Sequence, residues 1–216
     1  NEFVVRPNAL EVLPVLVEHY GEPYADSSAI PTYYVAKETR KHVTVALNGD
    51  GGDESFAGYE RYAAMKLAER YQRIPRPLRT SVIAKMAGLL PSSELKRSRI
   101  RDLKRFLNAA ELPRTERYLR WVSAFDTSST NDIYTREFAA DVSGQNSAEI
   151  LDDWFSKSNG SGILDAALLT DQMTYLPNDL LVKVDIATMA NSLEARSPLL
   201  DHKVIEFAAS LPADMK

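Results

Sequence analysis

Residues 43–54 constrain this chain more than any other stretch. Val43-Thr44-Val45-Ala46-Leu47 is a nearly continuous apolar run rich in β-branched side chains. Such a run is the pattern of a strand covered on both faces of a parallel sheet. It feeds straight into Asn48-Gly49-Asp50-Gly51-Gly52-Asp53-Glu54, three glycines interleaved with three acids. One other stretch, Phe3-Val4-Val5-Arg6, reads as a strand, ended early by Pro7. Two strands do not make a stable, doubly covered parallel sheet. The sheet is therefore expected to be completed by chain outside these 216 residues.

The rest of the pattern is helical. Asn8 caps a helix with Leu10, Leu13, Leu16 and Val17 on one face, and Pro14 is expected to kink it or delay its start. Asp26-Ser27-Ser28 precedes a second helix, with Pro31 in its first turn. Beyond the glycine/acid loop, helices are expected near 56–73, 76–90, 93–108, 113–124, 146–156, 162–175, 178–190 and 201–210, punctuated by Pro75, Pro77, Pro91, Pro113 and Pro177. Residues 126–147, rich in Ser, Thr, Asn and Asp, give the weakest folding signal. The expected organisation is an α/β part over 1–60 and a helical part over 61–216.

Composition narrows the function classes. With 44% hydrophobic and 26% charged residues the chain is globular. The absence of cysteine removes disulfides, thiolate metal sites and a cysteine nucleophile from this stretch. No apolar run approaches the roughly 18 residues of a membrane helix, and no signal-peptide pattern opens the chain. A cytoplasmic protein is the default expectation. The formal net charge of -4 hides an asymmetry, since residues 61–120 hold 16 Lys/Arg against 5 Asp/Glu. Arg97, Arg101, Lys104 and Arg105 share one helix face there, with Arg99 adjoining. A polyanion-binding module is one reading of that segment, but it lacks interleaved exposed aromatics. A solvated basic face is the favoured reading, so nucleic acid is not expected as a partner.

The loop after the strand stands where open α/β folds keep their ligands. Gly49, Gly51 and Gly52 allow positive φ and close backbone approach, which favours anions such as phosphate. Asp50, Asp53 and Glu54 would repel a phosphate unless a hard cation lies between them. Mg²⁺ takes one or two carboxylates, keeps waters and bridges to phosphates. The same residues would also make a plain turn, with Asp53 and Glu54 complementing the dipole of the next helix.

Leu47 through Glu54, continuing to Phe56-Ala57-Gly58-Tyr59, resembles the glycine/acid loop of glutamine-hydrolysing asparagine synthetases. Glu22-Pro23-Tyr24-Ala25-Asp26 through Ile30-Pro31-Thr32-Tyr33-Tyr34 looks like the segment that precedes it. Leu176-Pro177-Asn178-Asp179-Leu180-Leu181-Val182-Lys183-Val184-Asp185 and Ser192-Leu193-Glu194-Ala195-Arg196-Ser197-Pro198-Leu199-Leu200-Asp201 look like that family's late helical motif.

The resemblance implies an ATP-pyrophosphatase α/β fold (adenine nucleotide alpha hydrolase-like) with a helical extension. It implies ATP and Mg²⁺ as cofactors, and aspartate with ammonia from glutamine as substrates. The aspartate side-chain carboxylate would be activated as an acyl-adenylate and then amidated. Asn48, Gly49, Gly51 and Gly52 match ATP-binding positions, Asp50 an acid that serves the adenylate, Asp53 an Mg²⁺–pyrophosphate ligand and Lys183 a lysine that meets the departing pyrophosphate. Asp26, Ser27, Glu54, Asp185 and Arg196 are candidates for substrate contact or structure, with Asp185 expected to orient Arg196 and Asp26 able to cap the following helix. The chain departs from the family pattern at Asn48, where Ser is usual, and at Ser55, where Leu is usual. The Ser-Gly-Gly-x-Asp-Ser phosphate loop and the Cys-led glutaminase domain of the family do not occur in it, so the isolated chain is expected to be inactive. A related adenylating amidotransferase, β-lactam-forming or peptide-modifying, is the alternative. A homodimer is left open.

Overall fold

The computed structural model describes residues 2, 4–79, 99–123, 125, 132–144, 146–158 and 162–216. The chain divides into two compact units, Asn1–Gly58 with Thr170–Lys216, and Tyr59–Leu169. Residues 170–216, expected with the helical part, thus pack with the α/β part.

In the first unit, α1 (Ala9–Tyr20) starts where Asn8 accepts a hydrogen bond from the Leu10 N–H, and it ends at Gly21 in the left-handed conformation. The helix neither starts late nor breaks at Pro14. Of the expected Leu10/Leu13/Leu16/Val17 face only Leu16 is buried, together with Val12 and with Tyr20 packed beside them; Leu10, Leu13 and Val17 are exposed. Val12 and Leu16 are one turn apart, and contact with α2 (Ala29–Thr39) and α11 (Leu181–Met189) turns that side of the helix inward. Ala29, Ala187, Tyr24, Ile30, Tyr33 and Tyr34 complete that core.

The strand signal at 43–47 gives β1 (Val45–Leu47), paired in parallel with β2 (Glu194–Arg196), Val45 opposite Glu194 and Leu47 opposite Arg196. Val4–Arg6 does not form the expected strand, and Val4 is exposed. A strand exists only through a partner's ladder, and the described residues provide none for that segment. Phe3 lies outside the described residues. β1 is not covered on both faces either: Val45 is 38% and Leu47 73% exposed. Among the described residues its one partner is β2, and these two apolar side chains face solvent.

β1 leads through the glycine/acid loop into the short helix α3 (Gly52–Phe56). A π-helical turn, Leu176–Leu180, continues into α11 and then β2. A 3₁₀ turn (Pro198–Leu200) and α12 (His202–Ser210), capped by the Asp201 carboxylate on the Lys203 N–H, close the unit. α12 packs on α3.

The second unit contains α4 (Glu60–Gln72), α5 (Arg76–Leu78), α6 (Arg99–Ala110), α7 (Arg114–Val122), α8 (Arg136–Asp141), α9 (Ser147–Lys157) and most of α10 (Ile163–Met173). Tyr62, Met65, Ala68, Ala109, Tyr118, Leu151 and Phe155 are buried in it. α8 lies inside the stretch that gave the weakest signal, started by the Thr135 hydroxyl accepting from the Phe138 N–H. The expected helical residues 80–98 lie outside the described residues, Arg97 and Leu95 among them, as do the side chains of Arg101 and Arg105. Among the described residues no helix is long and apolar enough to cross a membrane.

Candidate functional site

The glycine/acid loop leaves the carboxyl end of β1, where its parallel partner β2 also ends. The Asn48 N–H donates to the Arg196 carbonyl at 2.9 Å, extending the ladder one residue into the loop. The Asn48 side chain is then held at both ends. Its amide nitrogen donates to the Asp50 carboxylate at 2.8 Å, and its carbonyl oxygen accepts from the Ser197 hydroxyl. The residue that departs from the family's Ser therefore ties the loop to the segment after β2 and orients Asp50.

The glycines have local reasons of their own. Gly51 has φ +88°, and a Cβ there would lie 2.2 Å from Leu200 Cδ2; one on Gly52 would lie 2.9 Å from Leu199 Cδ1. These two glycines let the Pro198–Leu200 turn seat against the loop. Gly49 has open space beside it. Gly58 receives the end of α3: its N–H donates to the Asp53 carbonyl, and a Cβ on it would lie 1.9 Å from Asp53 Oδ1. The Asp53 carboxylate owes its direction to that missing side chain.

Of the acids, Asp53 is exposed, Asp50 half-buried and Glu54 buried. Burial pushes the Asp50 carboxyl above its ordinary range; the Lys183 charge opposes this and the Glu54 charge adds to it. The Glu54 carbonyl accepts a 3.0 Å hydrogen bond from the Gln172 side chain. Ser55 is 2% exposed, and its hydroxyl has no partner.

Lys183 is brought to this site from far along the chain. Its ammonium lies 2.8 Å from Asp26 Oδ2, with 12% of its side chain exposed. Asp26 also accepts from the Ser28 N–H and hydroxyl. Burial alone would raise the Asp26 carboxyl, but the hydrogen bonds from Lys183 and Ser28 outweigh it and hold it below the usual range. Ser28, and not Asp26, stands at the N-cap of α2. Around this pair, Tyr20 and Tyr24 stack with ring centroids 4.2 Å apart. The Tyr24 hydroxyl shares its proton between the Asp179 backbone carbonyl and carboxylate, each at 2.7 Å, and the Tyr20 hydroxyl donates to the Lys183 carbonyl at 3.3 Å. Burial, with the charges of Asp26 and Asp179, pushes the Tyr20 hydroxyl up to about 12. Tyr24 and Asp179 carried no recognisable signal in the sequence beyond their place in long motifs, and Tyr20 lies outside those motifs.

The remaining candidates separate from this cluster. Ser27 is exposed, and so is Asp185. Arg196 pairs with Glu194 at 2.7 Å and not with Asp185, because β-strand residues two apart share one face while Asp185 sits on α11. The basic residues of the second unit are partly neutralised, Arg79 by Glu111 at 2.7 Å and Arg114 and Arg117 by Glu69.

Among the described residues no three His, Cys, Asp or Glu side chains gather as a closed metal cage. Asp50 and Asp53 are the carboxylates of the loop that could hold a metal ion whose other ligands come from outside the chain.

Comparison with known proteins agrees with the motifs. The family model described as Asparagine synthase matches residues 1–216. The Bacillus subtilis (strain 168) protein named Asparagine synthetase [glutamine-hydrolyzing] 1 is 33% identical over 214 residues, covering 99% of this chain and 32% of that protein. A Mycobacterium bovis protein with a glutamine-hydrolysing asparagine synthetase name is 34% identical over 204 residues, 94% of this chain and 29% of its own length. The chain thus spans about a third or less of these relatives. No solved structure matches it. The glycine/acid loop, the lysine-bearing helix and the match over all 216 residues lead to one conclusion: the chain belongs to the asparagine synthase family.

Proposed function

We propose that this chain is part of the synthetase region of an ATP-dependent, glutamine-hydrolysing asparagine synthase that activates the aspartate side-chain carboxylate. A carboxylate oxygen attacks the α-phosphorus of ATP, the bond to pyrophosphate breaks, and an acyl-adenylate forms. Ammonia then attacks the acyl carbon, releasing AMP and a proton. The observation that carries the reading is the joining of two distant motifs at the carboxyl ends of the parallel strands, where Asn48 of the acid loop bonds the Arg196 carbonyl and the Ser197 hydroxyl of the late motif while its amide holds Asp50.

In this reading the exposed backbone at Gly49 meets the nucleotide and Asp53 holds Mg²⁺ from the protein side. Mg²⁺ when bound supplies charge neutralisation between acids and phosphates. Lys183 stabilises negative charge on the departing pyrophosphate. Asp50, lifted above the ordinary carboxylate range by burial, is suited to accept the proton lost by the attacking ammonia. The phosphate loop, the rest of the sheet and the glutaminase belong to other parts of the protein, and the isolated chain does not turn over ATP.

Aspartate-dependent exchange of labelled pyrophosphate into ATP by the full-length protein tests this. Exchange with aspartate is the expected result. Exchange with another carboxylic acid and none with aspartate would transfer the reading to a related adenylating amidotransferase, an alternative motivated by the bulkier Asn48 in the loop. Asparagine formation by residues 1–216 alone would overturn the inactivity of the isolated chain.

A further inference from the structure

We propose that Asp26 is the positioning residue of Lys183 and not a substrate ligand. The inference rests on the proposed role of Lys183 and adds to it the means by which its ammonium is held. Lys183 is mostly buried, and a buried ammonium needs a partner. Asp26 supplies it at 2.8 Å from a loop 157 positions away. Both ends of that contact are braced. Asp26 is held by two donors of Ser28, which leaves its Oδ2 facing Lys183. The backbone that carries Lys183 is held by the stacked tyrosines, Tyr24 on Asp179 and Tyr20 on Lys183 itself.

The turn that carries Asp179 and leads into the Lys183 helix is π-helical, with the Leu181 N–H reaching back to the Leu176 carbonyl. A π turn shifts the helical register, so the direction of the Lys183 side chain depends on its outside partners. With both Asp26 oxygens already engaged by Ser28 and Lys183, Asp26 has little capacity left for a substrate amine. The Lys183 charge also opposes the upward shift of the Asp50 carboxyl. Asp26 decides how far the ammonium leans toward the acid loop.

The test uses the full-length protein with Asp26→Asn and Asp26→Glu, read by acylation of lysine amines and peptide mass spectrometry at pH 8. Asp26→Asn is expected to raise the labelling rate of Lys183 at least fivefold while Lys37 and Lys41 keep theirs. Asp26→Glu is expected to restore most of the protection. In pyrophosphate exchange Asp26→Asn should lower kcat and leave the KM for aspartate within about twofold. Unchanged Lys183 labelling in Asp26→Asn, with a melting curve like that of the parent, would overturn the proposal. So would a raised KM with kcat retained, the signature of a substrate ligand. Absence of exchange in the parent protein sinks the ATP reading instead, and the labelling then decides the positioning on its own. Tyr24→Phe, which keeps the ring stack and the ion pair, guards against a folding defect: its Lys183 labelling should rise less than that of Asp26→Asn, and an equal rise would assign the protection to packing and overturn the role of Asp26.

Discussion

Single residues in the loop show stability given up to place charge and backbone. A carboxyl whose folded pKa is raised, as for Asp50, favours folding below the ordinary carboxylate pKa, and that contribution is lost as pH rises through the folded value. At pH 7 the ionised Asp50 is therefore a cost, and Asp50→Asn should raise the melting temperature while slowing the ammonia-dependent formation of asparagine at least tenfold. The gain should shrink to nothing below about pH 4, where both side chains are neutral; melting curves from pH 3 to 8 check this. Ser55 is a cost of another kind, a buried hydroxyl with nothing to bond. Ser55→Ala should stabilise the fold by about 1 kcal/mol in urea titration, the lower end of the penalty for an unsatisfied buried group. Asp50, Asp53 and Lys183 were legible as candidates from long motifs, because the residue types and their order persist in one dimension. The bond from Asn48 to Asp50 and the clash that keeps Gly58 bare were not, since both depend on side-chain direction.

At the scale of elements, the loop is shaped by what docks on it. The Pro198–Leu200 turn presses Leu200 against Gly51 and Leu199 against Gly52. Gly51→Ala combines a positive φ with a contact far inside van der Waals distance. It should cost about 2–4 kcal/mol in denaturant unfolding, roughly 1 from the backbone and the rest from overpacking. Adding Leu200→Ala should return part of that cost through a favourable coupling, which a double-mutant cycle measures. Helices were largely legible from apolar periodicity and caps, as Asn8 and Asp201 illustrate. Strands were not. Val4–Arg6 has the composition of a strand and no partner, whereas Glu194–Arg196 is short and charged and forms one because β1 lies beside it. Helical hydrogen bonds are local and can be read locally; a ladder is made between distant segments.

For the molecule as a whole, the two-stranded sheet is the informative defect. The Glu194 N–H bonds to the Thr44 carbonyl and the Asn48 N–H to the Arg196 carbonyl, so the backbone groups of Val45 and Leu47 point to the opposite edge of β1. Their amides should exchange with solvent within minutes in residues 1–216 alone. In the full-length protein they should be protected at least a hundredfold if the rest of the sheet pairs there; mass-spectrometric hydrogen exchange on both samples reads the difference. Equal exchange would remove the case for a wider sheet on that edge. By itself the sequence determined the chemistry on offer: a glycine/acid loop, a lysine motif and helices whose periodicity needs no distant partner. The tertiary structure alone decided which face of α1 is buried, which segment pairs with β1, and that Lys183 meets Asp26 across 157 positions, because burial, strand pairing and ion pairing are relations between residues that the order of the chain does not bring together.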